Sequence, residues 1–68
     1  MGTTPIGRLA LYFVGRAARE DAGQPLYNAF VRYRDGSERE LDWTPSHSRE
    51  SAQRVVDYLN ARDGLPAA

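Results

Sequence analysis

Residues 26–43 read LYNAFVRYRDGSERELDW, and this stretch decides the fold. Its centre, Asp35-Gly36, is a turn signal that lies between two segments of strand length. Two strands joined by so short a connection pair in the antiparallel direction. We therefore predict a β-hairpin whose strands cover residues 26–33 and 37–43.

The length of the hairpin loop decides which side chains reach the core, because a shift of one residue turns every side chain to the other face. A two-residue loop would place the acidic residues of the later strand beside the apolar residues of the earlier one. A three-residue loop over 34–36, with its glycine left-handed, turns those acidic side chains away, so we predict this loop. On the outer face it sets Arg32 beside Glu38 and Asn28 beside Asp42. The core-facing residues of this register are Tyr27, Ala29, Val31, Tyr33, Leu41 and Trp43.

A strand before the hairpin and a helix after it complete the predicted fold. Residues 8–18 are mostly apolar, with aromatic side chains and a valine, which favours a strand, and the polar residues 19–25 predict a loop. Residues 49–62 follow an N-cap serine, Ser48, and precede Gly64, which is typical of the residue that ends a helix. The apolar stripe of this helix contains Ala52, Val55, Val56 and Leu59.

The order of these elements is β-β-β-α. It predicts an α+β fold, a three-stranded antiparallel β-meander with one C-terminal helix packed on one face. The 68 residues make a single small domain, with tails at 1–7 and 65–68. The aromatic residues of the core-facing side are expected in the core, with the tryptophan packed against the helix: Tyr27, Tyr33 and Trp43.

The composition excludes several classes of protein. Nine arginines balance nine acidic residues, the chain has no lysine and no cysteine, and the formal net charge is zero. No apolar run is long enough to cross a membrane, and without cysteine there is no disulfide framework and no thiolate zinc site. Because no secretory signal is recognisable and cysteine is absent, we predict a cytoplasmic protein without a cofactor. The abundance of arginine and alanine is typical of a GC-rich genome.

Catalysis and metal binding are the functions that the sequence favours least. His47 lies between Ser46 and Ser48, but neighbouring residues in a turn rarely point at one another, and we expect no carboxylate to orient the ring. The acidic residues that alternate along the third strand are explained by pairing with the neighbouring strand. No glycine-rich phosphate loop precedes a helix. We therefore predict a non-enzymatic protein with no catalytic residue and no metal site.

A single helix covers only one face of a three-stranded sheet, so apolar side chains are left on the other face. The first strand offers two alternating sets, one with Leu9, Leu11 and Phe13 and the other with Ala10, Tyr12 and Val14. Alternation alone does not decide which set is buried, and Phe30 joins the set that is not. Exposed apolar patches mark interfaces, and an unpaired edge strand offers its backbone to a partner. The predicted partner-binding residues are Leu11, Tyr12, Phe13, Arg16, Phe30, Arg32 and Arg34.

Three uses of this surface are open at the level of sequence. Pro5-Ile6 or the loop at 19–25 closes it, a second copy of the chain covers it in a homodimer, or a different protein binds it. Both binding uses describe a small protein–protein interaction module. In scale and architecture the chain is similar to small antagonist proteins of phages and mobile elements, including anti-CRISPR proteins, and that similarity implies an inhibitor.

Nucleic-acid binding is the alternative function. The arginines that would contact phosphates lie near the hairpin tip and the helix start: Arg32, Arg34, Arg39, Arg49 and Arg54. The β-β-β-α order over residues 9–62 resembles the later part of a double-stranded-RNA-binding domain. That family has an opening helix, which this order lacks, and a basic pair at the start of its last helix, where this chain has Arg49 followed by Glu50. The resemblance implies that the helix start contacts RNA.

Overall fold

A computed structural model describes residues 9–67 and confirms the predicted fold class. Its elements are β1 (Leu9–Asp21), β2 (Gln24–Tyr33), β3 (Glu38–Glu40) and α1 (Arg49–Asp63). The three strands form one antiparallel sheet in the order β1-β2-β3, and α1 packs on one face of it. The predicted tail at residues 1–7 and the start of the first strand at residue 8 lie outside the described residues.

The hairpin of β1 and β2 is longer than predicted, because the loop expected at 19–25 is only a two-residue turn. Ala22 and Gly23 both have positive φ, at 53° and 79°. Two successive positive φ values give the turn geometry that matches the twist of paired strands, so pairing continues to Asp21 and Gln24. The loop at 19–25 is therefore not available to fold over the sheet.

The hairpin of β2 and β3 has the predicted three-residue turn. Arg32 pairs with Glu38, and the backbone N–H of Tyr33 donates to the carbonyl oxygen of Ser37 at 2.9 Å. Gly36 has a φ of 93°, the left-handed conformation that this turn needs. The register therefore keeps the acidic side chains of β3 away from the helix.

The strand predicted at 37–43 ends early, at Glu40. Leu41 still donates to the carbonyl oxygen of Ala29 at 2.9 Å, but the next pairing along β2 joins Tyr27 to Ser46. Between these two pairings β2 spans two residue steps, from Ala29 to Tyr27, whereas the later segment spans five, from Leu41 to Ser46. Three residues of the later segment are therefore extra, and we call the stretch between Leu41 and Ser46 the looped-out segment. Regular alternation fails at this point, which is why the predicted positions of the residues after Leu41 are wrong.

Asn28 fills the gap that the looped-out residues leave. Its amide nitrogen donates to the backbone oxygens of Leu41 and Trp43, each at 3.1 Å. Asn28 is consequently buried, with 3% of its surface exposed, and it does not lie beside Asp42 on an exposed face as predicted. Its side chain replaces the missing ladder and holds the looped-out segment against the sheet.

The core lies between α1 and the sheet. Tyr12 pairs with Val31 and Val14 pairs with Ala29, so these residues face the helix. A register shift between Leu9 and Leu11 also turns Leu9 toward the core, which separates it from the set in which it was predicted. The buried core residues are Tyr12, Ala29, Val31, Val56 and Leu59.

The ends of α1 follow the predicted signals. The Ser48 hydroxyl oxygen accepts a hydrogen bond from the N–H of Ser51 at 3.1 Å, and Gly64 ends the helix with a φ of 68°. The N–H of Leu65 then donates to the carbonyl oxygen of Asn60 at 2.8 Å, and Leu65 packs against the core. This return of the chain is a typical helix C-terminus.

Trp43 is not a core residue, contrary to prediction. Its exposed fraction is 46%, because it belongs to the looped-out segment between Leu41 and Ser46. One side of Trp43 borders a small cavity of about 80 Å³ that Val55 also lines. Tyr33 does pack against the core, while Tyr27 is half-buried with the Arg49 guanidinium 5.2 Å from its ring centroid.

Candidate partner-binding face

The sheet face opposite α1 carries an aromatic pair. Phe13 pairs with Phe30, and Leu11 pairs with Arg32, so all four side chains lie on this face. The two phenyl rings are stacked, with centroids 5.6 Å apart and planes inclined by 29°. We call these four residues the open face, because no helix or strand within residues 9–67 packs over them.

Gly15 leaves room for the Phe30 ring to pack against the β1 backbone. A β-carbon at position 15 would come within 2.7 Å of the Phe30 ring, so only glycine fits beneath it. An aromatic ring that covers a strand glycine is a recurrent way to complete a sheet surface. The sequence contained this signal, since glycine is disfavoured inside strands, but its partner is visible only once the register is known.

Arg32 is held in place at the border of the open face. Its guanidinium lies 2.8 Å from the Glu38 carboxylate, and its Cζ lies 5.1 Å from the centroid of the Phe13 ring. Both charged side chains are nearly half-exposed, at 46% and 43%, so water screens the ion pair and it contributes little stability. Its effect is to fix the guanidinium over the aromatic ring.

The structure brings together four of the seven predicted partner-binding residues. Tyr12 points to the opposite side and is buried under α1, with 6% exposed. Arg16 lies in register with Tyr27 and forms an exposed ion pair with Glu20 at 3.3 Å. Arg34 is exposed in the β2–β3 turn. The contiguous part of the predicted set is the open face: Leu11, Phe13, Phe30 and Arg32.

The outer edge of β1 is covered at Tyr12, which the sequence did not predict. The side-chain oxygen of Asn60 accepts from the N–H of Tyr12 at 2.8 Å, and the Asn60 amide nitrogen donates to the Tyr12 carbonyl oxygen at 3.1 Å. One helix side chain thereby occupies the two backbone groups that a neighbouring strand would use. Asn60 is 2% exposed. Addition of a partner strand at this point of β1 is therefore blocked, and the open face remains as the available surface.

A second set of hydrogen bonds joins β1 to the end of α1, and it involves Tyr12, Arg62 and Asp63. The Tyr12 hydroxyl donates to the Asp63 carboxylate at 2.6 Å, and Arg62 donates to the same carboxylate at 2.9 and 3.2 Å. The hydrogen bonds from Arg62 and then from Tyr12 lower the pKa of Asp63. Burial, followed by the hydrogen bond to Asp63, raises the pKa of Tyr12. This charged network stabilises the packing of the helix end on β1.

A carboxylate does contact His47, contrary to prediction. Its Nε2 lies 3.1 Å from a carboxylate oxygen of Asp21, and its Nδ1 lies 3.1 Å from the carbonyl oxygen of Pro25. The ring is half-exposed, and it ties the turn region of the long hairpin to the start of α1. The hydroxyl oxygens of Ser46 and Ser48 accept backbone N–H bonds at the helix start. The contacts of His47 therefore link the β1–β2 hairpin to the segment before α1.

The pairing of β1 with β2 shifts register a second time between Arg16 and Glu20. A cleft lies beside the open face, between Ala18 in this irregular part of β1 and the looped-out segment. Its volume is about 610 Å³, and Glu40 forms part of its lining. One carboxylate oxygen of Glu40 accepts from the N–H of Ala18 at 3.1 Å, and the other accepts from the Asn28 amide at 2.9 Å. Glu40 thus braces β1, β2 and β3 across the sheet. The full lining is Ala18, Arg19, Asn28, Arg39, Glu40, Leu41, Asp42, Trp43 and Pro45.

No protein-family model, no curated protein and no solved structure matches this chain. In the part of the chain that the structure describes, no helix is long and apolar enough to cross a membrane. Among the same residues, no group of three or more histidine and carboxylate side chains is arranged to hold a metal ion.

Proposed function

We propose that this protein is a small non-enzymatic interaction module that binds another protein through the open face. The observation that carries the proposal is the stacked pair of Phe13 and Phe30, flanked by Leu11 and Arg32, on a sheet face that no other element of residues 9–67 covers. Aromatic residues and arginine are the residue types that contribute most to protein interfaces. On binding, the module would block its partner's surface sterically and so act as an inhibitor.

The geometry lowers the entropy lost on binding. Gly15 beneath Phe30 and the ion pair of Arg32 with Glu38 hold the aromatic and cationic groups in place before a partner arrives. Groups that are already ordered lose less conformational freedom in a complex, so more of their contact energy appears as affinity.

The size of the face favours a different protein over a second copy of this chain. The open face has only three apolar side chains, all half-buried already, and its border is charged. Obligate homodimers use larger and more apolar interfaces, whereas transient complexes use small surfaces with polar borders. We therefore expect a monomer in solution that forms a complex with a heterologous partner.

The experiment combines solution mass with point variants. Light scattering at micromolar concentrations should give the mass of a monomer. Affinity capture from an extract of the source organism should yield a protein that, once purified, binds the wild type. Phe13→Asp should keep the circular dichroism spectrum and abolish that binding, because it places a charge in the apolar centre of the interface.

Tyr58→Asp is the matched control for this experiment. Tyr58 is an aromatic residue on α1 with 60% of its surface exposed, so the same substitution adds the same charge away from the open face. The control should bind the partner as the wild type does. Binding that survives both Phe13→Asp and Phe30→Asp would overturn the proposal, and a dimer that Phe13→Asp dissociates would assign the face to self-association instead.

The structure gives less support to nucleic-acid binding through the hairpin tip and helix start. One of the five arginines expected to contact phosphates, Arg32, is already paired with the Glu38 carboxylate. The charge of a paired arginine is partly neutralised, so it contributes less to phosphate binding. The interaction module is therefore the function that we propose for these surfaces.

A further inference from the structure

The side of the sheet opposite α1 carries two rows of paired side chains, and each row ends in a glutamate of β3. In one row Phe13 pairs with Phe30, and Phe30 pairs with Glu40. In the neighbouring row Arg32 pairs with Glu38. Residues that pair directly across two strands have their side chains on the same face, so both glutamates lie on the side of the open face.

The two glutamates differ in their partners. Glu38 has a cation, because the Arg32 guanidinium lies 2.8 Å from its carboxylate. In the row of Glu40, the position that corresponds to Arg32 is a phenylalanine. One carboxylate oxygen of Glu40 accepts from the N–H of Ala18 and the other from the Asn28 amide, and both donors are uncharged. Among the described residues, no ion pair therefore neutralises the charge of Glu40.

The arginines near Glu40 do not supply the missing positive charge. Arg39 is the preceding residue of β3, but it pairs with Val31, which faces α1, so its side chain projects to the other side of the sheet. Arg19 borders the cleft from β1 and Asp42 borders it from the looped-out segment, so these two opposite charges sum to zero. Because Glu40 is partly buried, water and salt screen its charge less than that of a fully exposed group.

We propose that the protein bound on the open face supplies this cation, as a lysine or arginine side chain that pairs with Glu40. The proposal rests on the function proposed above and names the chemistry of the partner's contact residue. The aliphatic part of such a side chain can lie on the Phe30 ring while its charged end reaches the carboxylate. Arg32 already combines these two contacts within the protein, since it pairs with Glu38 and its Cζ lies 5.1 Å from the centroid of the Phe13 ring.

The surroundings of Glu40 suit a positively charged group that donates hydrogen bonds. An ionised carboxylate accepts at about four lone-pair sites, so the hydrogen bonds from Ala18 and Asn28 leave other sites free. Glu40 also lines the cleft of about 610 Å³, which leaves room for an additional side chain. Ammonium and guanidinium groups only donate, and a guanidinium can donate to both oxygens of one carboxylate. A neutral or acidic side chain would leave the charge of Glu40 unpaired in the complex and would lower the affinity.

The test uses small probes in place of the partner protein, so it does not require that protein to be identified. N-acetylarginine amide carries the proposed cation, N-acetylcitrulline amide has a similar shape without the charge, and N-acetylglutamate amide carries the opposite charge. Nuclear magnetic resonance detects binding at the Ala18 N–H and the Asn28 side-chain amide, because both groups donate to Glu40. The arginine probe should shift both signals to saturation, with a Kd that rises as salt is added. The citrulline probe should bind at least about tenfold more weakly, and the glutamate probe should cause no shift.

A variant removes the charge of Glu40 directly. Glu40→Gln keeps the size of the side chain and should weaken binding of the arginine probe about tenfold. The matched control is Glu50→Gln, which removes the same charge at an exposed position of α1 and should leave the Kd unchanged. Circular dichroism establishes that both variants fold. If Glu40→Gln does not fold, the comparison of the arginine and citrulline probes on the wild type decides the question alone.

Three outcomes would contradict the proposed cation site. They are the absence of a saturable shift with the arginine probe, equal binding of the citrulline probe, and an equal loss of binding in Glu50→Gln and Glu40→Gln, which would indicate attraction by overall charge. Failure of the proposed function looks different, since partner binding would then survive both Phe13→Asp and Phe30→Asp while the probe results stay the same. A partner that does bind the open face should lose about tenfold in affinity for Glu40→Gln and none for Glu50→Gln, and an unchanged affinity for Glu40→Gln would also overturn the proposal.

Discussion

The buried side-chain amide of Asn60 joins β1 to α1. Asn60 satisfies both the N–H and the carbonyl oxygen of Tyr12, and its own side-chain groups are satisfied in return. Leucine at this position would keep the volume but leave two buried backbone groups without partners, each at a cost of about 1 to 3 kcal/mol. We expect Asn60→Leu to lower the free energy of unfolding by about 2 to 6 kcal/mol, measured by urea denaturation.

A control for this substitution is Tyr58→Leu on the exposed side of the same helix, which should change the free energy of unfolding by less than about 0.5 kcal/mol. If Asn60→Leu proved as stable as the control, the amide contacts with Tyr12 would not contribute to the stability of the fold.

The pH dependence of stability should reflect the network at the end of α1. The pKa of Asp63 is lowered by the hydrogen bonds from Arg62 and Tyr12, so the folded state binds this proton less readily than the unfolded chain does. Its contribution to stability is therefore complete above the unfolded pKa of about 4 and is lost as the pH falls through the folded value. Because the pKa of Tyr12 is raised, its contribution is complete below pH of about 10 and is lost at higher pH.

Thermal unfolding between neutral and acidic pH measures the contribution of Asp63. Asp63→Asn should be less stable than the wild type at neutral pH, and the difference should shrink as the pH falls below about 4. Asp42→Asn, at an exposed position in the looped-out segment, is the control and should follow the wild-type profile. A constant difference between Asp63→Asn and the wild type over this range would contradict the assignment.

At the scale of elements, the turn between β1 and β2 contains a residue that its conformation does not favour. Ala22 has a φ of 53°, in the left-handed region where a β-carbon is strained at a cost of about 1 kcal/mol or more. Asparagine tolerates this conformation and, followed by glycine, forms the preferred two-residue hairpin turn. We expect Ala22→Asn to raise the free energy of unfolding by about 0.5 to 1 kcal/mol.

The opposite substitution tests the same geometry. Ala22→Val adds a β-branched side chain at a positive φ and should lower the denaturation midpoint, with an unchanged dependence on urea. Equal midpoints for the asparagine and valine variants would mean that the turn does not adopt this conformation in solution.

The regular parts of the strand pairing could be predicted from the sequence, and the irregular parts could not. Charge burial alone distinguished the two registers of the β2–β3 hairpin, and the aromatic stack of Phe13 and Phe30 follows once β1 pairs with β2. The register shifts and the looped-out segment could not be predicted. An extra residue in a strand turns the side chains that follow it to the other face, and the composition of the strand does not reveal where this happens. Leu9 moved into the core and Trp43 moved out of it for this reason.

The candidate site was predictable to the same extent. Alternation offered Tyr12 and Phe13 as equal choices for the exposed side, and only the packing of α1 placed Tyr12 beneath the helix. The cleft beside the open face had no signal in the sequence. It exists because Asn28 holds a looped-out segment, a contact between residues 15 positions apart that no local pattern encodes.

At the scale of the whole molecule, the described chain consists of one helix layer on one sheet layer. Its smallest dimension is 17 Å, too thin for a third layer, since packed layers lie about 10 Å apart. A domain of this size buries a smaller fraction of its unfolded surface than a larger domain does, so it has little stability in reserve. Substitutions on the two faces of β1 should therefore have sharply different consequences.

Leu11 and Tyr12 are neighbours in sequence and lie on opposite faces of the sheet. The same substitution at each position therefore compares how much the two faces contribute to stability. Tyr12→Asp buries a charge beneath α1 and removes the hydroxyl that donates to the Asp63 carboxylate, so it should prevent cooperative folding. Leu11→Asp adds the same charge at a half-buried position near Arg32 and should lower the free energy of unfolding by less than about 2 kcal/mol. Circular dichroism during thermal unfolding distinguishes the two variants. If both unfolded, the face opposite α1 would belong to a core that the 9–67 structure does not contain, whereas a folded Leu11→Asp leaves that face free to bind a partner.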